Sequence, residues 1–278
     1  IIDPSRDPQP YYDFADEHEA RIIAVIETHP HADFVSSHLE IAEETDATIY
    51  CSKLVGAKYP HKAFDDGDRI VLGTVELHAI NTPGHSPDSI SILLLDELAQ
   101  SRAVFTGDTL FVGDVGRPDL LEKAAGLVGT QEIGARQLYQ SLQKFSALPD
   151  FLQVWPGHGA GSACGKALGA VPSTTVGYEK IRNWAFQYDE DPQGFVNYLL
   201  ADQPEPPRYF AQMKTLNRVD RPLLTAVPTP EKLTAESVRA ALDKGIKLID
   251  TRNKAAFADG FVPGSINIQG NNAFATWM

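Results

Sequence analysis

Residues 28–34 read THPHADF, and the run before them, RIIAVIE at 21–27, is apolar from Ile22 to Ile26. A short apolar run bounded by turn residues is the pattern of a buried strand, so His29, His31 and Asp33 stand just past a strand end, in a loop that contains Pro30. The arrangement recurs along the chain. VELHAI (75–80) leads into NTPGHS with His85, AVFTGD (103–108) ends on Asp108, and FLQVWPG (151–157) leads into His158. ATIYCS (47–52), RIVL (69–72) and SISILLLD (89–96) complete the strand pattern. Helical periodicity lies between these runs: Asp33 is placed as the cap of DFVSSHLEIAEE, Thr130 of QEIGARQLYQSLQKFSAL and Ser173 of TTVGYEKIRNWAF. Some strands alternate and others are continuously apolar, which calls for sheets covered by helices, a layered α/β sandwich.

Charge narrows the range of partners. The 278 residues carry 24 Lys+Arg against 37 Asp+Glu, a formal charge of -13, with no basic run, so nucleic acid is excluded as a partner. The longest apolar stretch, ISILLL at 90–95, is far short of the roughly 20 residues of a membrane span, so no membrane association is expected. Cys51 and Cys164 are too few for a disulfide framework, which points to a reducing, cytoplasmic setting. The chain opens on Ile1 inside an apolar run, with no initiator Met and no signal-peptide pattern, and is read as a piece cut at both ends.

Two Pro-rich segments, DQPEPPR from 202 and PTPEK from 228, mark a change of organisation. The division expected is a first domain over 1–215, a linker over 216–229 and a second α/β unit over 230–278. That unit opens with TAESVRAALDKG, a helix capped by Thr234, and continues with KLIDTR as a strand. About 50 residues are too few for a complete α/β core of their own.

Neutral imidazole and ionised carboxylate at open, Gly- and Pro-lined turns suit a transition metal such as zinc or iron. Any one histidine is more often a hydrogen-bonded core or surface residue, and His18, His38, His61 and His78 are read that way. His29, His31, Asp33, His85, Asp108 and His158 differ because all six sit at strand ends, where a rigid scaffold presents functional side chains.

In this order THPHADF, PGHS, TGDT and PGHG resemble the metal-ligand motifs of the metallo-β-lactamase fold, an αββα sandwich with its metals at one edge of two packed sheets. The dinuclear hydrolases of that superfamily read HxHxDH, and here Phe34 replaces the last histidine. Phe has no lone pair, so a second-metal pocket of Asp33, position 34 and His158 lacks a ligand. With GRPD (116–119) and GAGSACGK (159–166), the chain is similar to the persulfide dioxygenases. The resemblance implies one Fe(II) per chain, held by His29, His85 and Asp108, with zinc able to substitute. His31, Asp33 and His158 would orient those ligands or hydrogen-bond to bound water and oxygen. A small-molecule persulfide, with glutathione the usual thiol, and O2 would be the reactants and sulfite a product. A homo-oligomer is compatible with the sequence.

Further substrate contacts are assigned to Arg117, as a bidentate partner for an anionic group or else an ordinary ion pair with Asp114 or Asp119. Cys164 is placed near the pocket, either carrying sulfur or as a small buried thiol. Tyr178 and Tyr209, with Trp184 and Tyr188, would roof a cleft or else fill a core. LIDTRNKAAFADGFVPGSINI (248–268) looks like the opening of a rhodanese domain, with Phe261 in place of the turn's histidine. The loop that carries a rhodanese's cysteine would lie beyond Met278, so sulfur transfer by these residues is not expected. The alternatives weighed against the dioxygenase are a thioester hydrolase of the glyoxalase II kind and a non-catalytic sulfur-binding module.

Overall fold

Residues 1–125, 129–160, 162–166, 168–188, 190–224, 229–271 and 274–278 are described by the computed structural model. The chain divides into two compact units, Ile1–Leu224 and Thr225–Met278. In the first, α1 (Gln9–Glu17), β1 (Ala24–Ile26), α2 (His38–Thr45), β2 (Thr48–Cys51) and β3 (Lys62–Ala63) are followed by β4 (Arg69–Leu72), β5 (Val75–Asn81), β6 (Ile90–Leu95) and β7 (Ser101–Gly107). Then come α3 (Leu120–Ala125), α4 (Thr130–Ser146), β8 (Gln153–Pro156), β9 (Thr174–Thr175), α5 (Val176–Arg182), α6 (Pro192–Leu200) and α7 (Phe210–Leu216).

Strand alternation explains the layers. Ile26 of β1 packs with Ile70, Leu77, Ala79, Ile90 and Ile92 of β4, β5 and β6, joining the parallel sheet β1-β2-β3 to the six-stranded sheet β4-β5-β6-β7-β8-β9. Its neighbour Val25 turns the other way, onto Ile41 of α2 and Tyr11 and Tyr12 of α1. On the far face of the larger sheet, Val104 and Val154 meet Leu138, Leu142 and Phe145 of α4 and Phe195 and Leu199 of α6. The result is the expected sandwich, helices outside two packed sheets.

Strand direction then positions the site. β5 and β6, and β6 and β7, pair antiparallel, whereas β7 and β8 pair parallel through the α4 crossover. β5, β7 and β8 therefore all point their C-terminal ends to one edge, and the segments after them carry His85, Asp108 and His158.

Three helix starts differ from expectation. α2 begins at His38 after Ser37, leaving 33–37 irregular and Asp33 free to face His158 at 3.3 Å. Thr130 lies inside α4, whose cap is Gly129 at φ +84°, and the cap of α5 is Thr175, which accepts from the Tyr178 N–H, rather than Ser173. Asp33 is engaged by His158, while the turn into α4 is made one residue earlier by Gly129 and that into α5 two residues later by Thr175.

The first unit also runs past residue 215. Asn217 donates to the His31 and Phe34 carbonyls at 2.9 and 2.8 Å, and Arg221 donates to Ser36 O at 2.6 Å. These bonds hold the segment to Leu224 on the first unit, where a linker is expected from 216. The second unit has α8 (Ala235–Asp243), capped by Thr234 as expected, then β10 (Ile249–Asp250), α9 (Lys254–Asp259), β11 (Ile266–Asn267) and α10 (Phe274–Trp277). β10 and β11 pair parallel, Arg252 clamps Asp250 with Nη2 to Oδ2 at 2.6 Å, and Phe261 stacks on Phe257. None of this unit's described residues is fully buried. Among the described residues no helix is long and apolar enough to cross a membrane.

Glu40 on α2 ties both ends of the first unit together. Its carboxylate takes Arg221 Nη1 and Nη2 at 2.7 and 2.8 Å, Arg6 Nη1 at 2.9 Å and Leu224 N at 2.9 Å. Burial opposes its charge, but the two arginines and the Leu224 N–H outweigh that and hold the carboxyl at about 2. A carboxyl depressed on folding contributes stability above its ordinary value of 4.5, and loses it as pH falls toward about 2. Glu40→Gln should therefore cost about 3 kcal/mol at pH 7, because the arginines lose their counter-charge. Urea melts at pH 7, 4 and 3 should show the deficit of the variant shrinking as the wild type acidifies.

Candidate metal centre

The four strand tips bring together His29, His85 and Asp108, one ligand atom of each lying within 4.8 Å of the others. Their exposures are 1%, 4% and 1%. His85 Nε2 is 3.6 Å and His29 Nε2 3.7 Å from Asp108 Oδ2. The opposite ring nitrogens are engaged by the protein. His85 Nδ1 lies 3.0 Å from the Arg117 carbonyl, which only accepts, so the proton sits on Nδ1. His29 Nδ1 lies 3.0 Å from Thr28 Oγ1, whose own hydrogen goes to Asp3 Oδ2 at 2.7 Å. Both rings thus turn an Nε2 lone pair toward Asp108, in the tautomer a metal requires.

The fit to a cation rests on atoms left over. His29 Nε2 and both Asp108 oxygens are buried with no hydrogen-bond partner among the described residues. Burial, reinforced by the charges of neighbouring histidines, holds His29 well below its ordinary value, and burial holds His85 at about 4. Burial alone would raise Asp108, but His158, His29 and His85 together keep it well below the usual carboxylate range. Neutral imidazoles beside an ionised carboxylate form the two-histidine, one-carboxylate set of ferrous and zinc sites.

His31, Asp33 and His158 form a second trio with ligand atoms within 4.8 Å. His158 Nε2 sits 3.3 Å from both Asp33 Oδ2 and Asp108 Oδ2. His31 instead leans toward Asp3, its Nε2 3.3 Å from Oδ1. Burial opposes its charge, yet Asp3 pushes it up to about 9. The Phe34 ring lies 4.5 Å from that of His31 and 6.5 Å from that of His158, placing hydrocarbon where a fourth donor would stand.

Two motif glycines are explained by close approach. A Cβ at Gly157 would sit 2.7 Å from Asp108 Oδ1, and one at Gly84, φ +152°, 2.4 Å from Leu138 Cβ on α4. Either would push a ligand loop away from its place.

The outlying residues are distributed differently. Arg117 is 0% exposed and clamps Asp119, Nε to Oδ1 at 2.7 Å and Nη2 to Oδ2 at 2.6 Å, with Nη2 also on Pro204 O. Its Nε and Nη2 make the ion pair of the second alternative, while Nη1 is buried with no hydrogen-bond partner among the described residues. Cys164 is buried against Asp108 and His158, and burial, with Asp108, pushes its thiol up to about 12. It is a protonated thiol here, not a ready nucleophile. Tyr209 joins Phe111, Leu120, Cys164 and Phe210 in an apolar wall beside His158. Tyr178 is 54% exposed on α5, and Trp184 and Tyr188 pack on Phe195 in the core. His78 pairs with Glu76 at 2.6 Å, whereas His38 is wholly buried with neither ring nitrogen hydrogen-bonded among the described residues, Nδ1 standing 3.7 Å from Glu27 Oε1. Asp3, Thr28 and Asn217 were missed. Only the helical spacing Phe210, Lys214, Asn217 hinted at the last.

His85→Ala and Asp108→Ala should each abolish retention of ferrous iron after anaerobic reconstitution and desalting, read by elemental analysis. Thr28→Val, which removes the His29 Nδ1 partner and its link to Asp3, should weaken metal binding about 10- to 100-fold.

Residues 1–158 match the family model of the metallo-β-lactamase superfamily, and residues 234–277 match that of the rhodanese-like domain. A solved metallo-β-lactamase from Staphylococcus aureus is 40% identical with a TM-score of 0.84, covering 100% of this chain and 79% of that one. ETHE1 from Myxococcus xanthus is 28% identical with a TM-score of 0.64, covering 78% and 86%. The cytoplasmic hydroxyacylglutathione hydrolase of Arabidopsis thaliana is 35% identical over 161 residues, 57% of either chain. The chain thus spans little more than half the length of that curated relative. With the sandwich fold, the strand-tip ligand set and a family match over more than half its length, the chain belongs to the metallo-β-lactamase superfamily of metal-dependent enzymes, followed by a rhodanese-like domain.

Proposed function

We propose that the chain is a ferrous-iron persulfide dioxygenase acting on a low-molecular-weight thiol persulfide. The observation that carries this reading is a buried tripod of His29, His85 and Asp108 beside a second trio, His31, Asp33 and His158, against which the Phe34 ring packs. Three protein ligands leave coordination positions for two reactants at one ion, whereas a two-zinc hydroxide centre wants the donor that position 34 lacks. The similarity to ETHE1 from Myxococcus xanthus points the same way.

When bound, ferrous iron supplies activation of dioxygen next to a sulfane sulfur. The overall change is R–S–SH + O2 + H2O → R–SH + H2SO3: the S–S bond breaks, the outer sulfur is oxidised and the thiol leaves protonated. The residues hold this chemistry in place. Thr28 and Asp3 fix the proton on His29 Nδ1, and the Arg117 carbonyl fixes that on His85. His158 lies between Asp33 and Asp108; Asp108, with Cys164, raises it well above its ordinary value against the effect of burial, so its ring can donate to product oxygen. Phe111, Leu120 and Phe210 exclude water from that side and suit a polarisable sulfur chain.

Anaerobically purified protein reconstituted with ferrous iron should take up oxygen with glutathione persulfide and form one sulfite per O2. Turnover of S-lactoylglutathione without oxygen uptake would put the glyoxalase II reading, favoured by hydroxyacylglutathione hydrolase relatives, in its place. Zinc found after aerobic purification decides nothing, since zinc binds such sites more tightly than ferrous iron. Phe34→His should restore the interrupted set, and zinc titration should then approach two ions per chain against one for the wild type.

A further inference from the structure

Helix α7 presents Phe210, Lys214 and Asn217 to the metal loops, at spacings of four and three that keep them on one face. Phe210 joins the apolar wall with Cys164 and Phe111, and Asn217 holds the 31–36 loop through His31 O, Phe34 O and Ser36 N. Lys214 lies between them, partly buried, its Nζ donating to Ser86 Oγ at 2.7 Å. Ser86 follows the ligand His85 directly, is itself 0% exposed, and passes its own hydrogen to Asp88. Among the described residues no carboxylate lies within 4.0 Å of this ammonium. One neutral hydroxyl is its described partner, and an ammonium has three donors.

A partly buried cation with donors to spare, one residue from a metal ligand, is costly unless an anion meets it. Its Nζ is directed at Ser86, the residue after the ligand His85; burial lowers its proton affinity, countered by the fields of Asp88 and Asp108. Arg117 is held on Asp119 through Nε and Nη2, and Arg221 on Glu40 and the Ser36 carbonyl. We propose that Lys214, on the persulfide reading above, recognises the charge on the sulfur end of the substrate and on its sulfur-oxyanion product. Ser86 and Asp88 hold the lysine at the right reach; the thiol-bearing remainder of the substrate is recognised elsewhere.

The test uses the full chain loaded with zinc, which binds without oxygen turnover, and sulfite as the probe in calorimetric titration. Lys214→Met should weaken sulfite binding at least about tenfold, with zinc content unchanged and a melting temperature equal to or above that of the wild type, because an under-compensated charge is replaced by a hydrocarbon chain. Lys214→Arg should recover most of the affinity. In iron-loaded protein, Lys214→Met should raise KM for the persulfide more than it lowers kcat. Sulfite affinity within twofold of wild type in Lys214→Met overturns the proposal, as does a fall in melting temperature and zinc content that Lys214→Arg fails to restore, which marks a structural pin. Oxygen uptake separates this from the parent reading: uptake with unaltered sulfite binding in Lys214→Met removes only Lys214, whereas Lys214-dependent sulfite binding without uptake keeps the anion contact and removes the dioxygenase.

Discussion

Asp108 is an ionised carboxylate at 1% exposure with neither oxygen hydrogen-bonded among the described residues, and the rest of the site is arranged around that fact. Taking such a charge out of water is expensive unless an opposite charge or several donors meet it. Here His29 and His85 meet it with lone pairs, since their protons are drawn to the far side of each ring by Thr28 and by the Arg117 carbonyl. His158 alone carries a proton toward it. A divalent cation resolves the arrangement, because it accepts both lone pairs and neutralises the carboxylate at once. The geometry in turn depends on β7 and β8 running parallel: an antiparallel pair would send Asp108 and His158 to opposite edges.

The strand pattern carried most of the fold. Apolar runs ending in His, Asp or Gly-His are visible without any structure, and the shared direction of β5, β7 and β8 then makes neighbours of residues up to 129 positions apart, from His29 to His158. Helix starts were less legible. Asp33, Thr130 and Ser173 are all good caps by residue type, but Asp33 faces His158, and the turns into α4 and α5 are made by Gly129 and Thr175. Capping preference is worth about 1 kcal/mol, which a loop contact easily outweighs.

The polar residues outside the motifs were the hardest to place. Arg117 stands in the GRPD motif and Lys214 far from any motif, yet the first is wholly buried in a two-point clamp and the second reaches Ser86 with a single hydroxyl partner. The difference comes from what each meets 2 residues or 128 residues away, Asp119 in the first case and Ser86 in the second. Long-range partners of this kind have no local signature. The boundary of the first unit was displaced for the same reason, since Asn217 and Arg221 reach back across more than 180 positions to the loop after β1.

Phe34 separates two chemistries that one scaffold can host. The tripod by itself, two imidazoles and a carboxylate, is a ligand set compatible with hydrolytic or redox chemistry. What differs is the demand made on the second trio. A hydroxide shared between two ions requires that trio to be a ligand set, which draws His31 and His158 toward a common point. In this chain His31 leans to Asp3 and a hydrocarbon ring lies against it, while His158 is drawn to Asp108. Those contacts draw the two histidines of the second trio toward different carboxylates and set an apolar ring beside them, so one side chain, Phe34, changes what that half of the site offers a second cation.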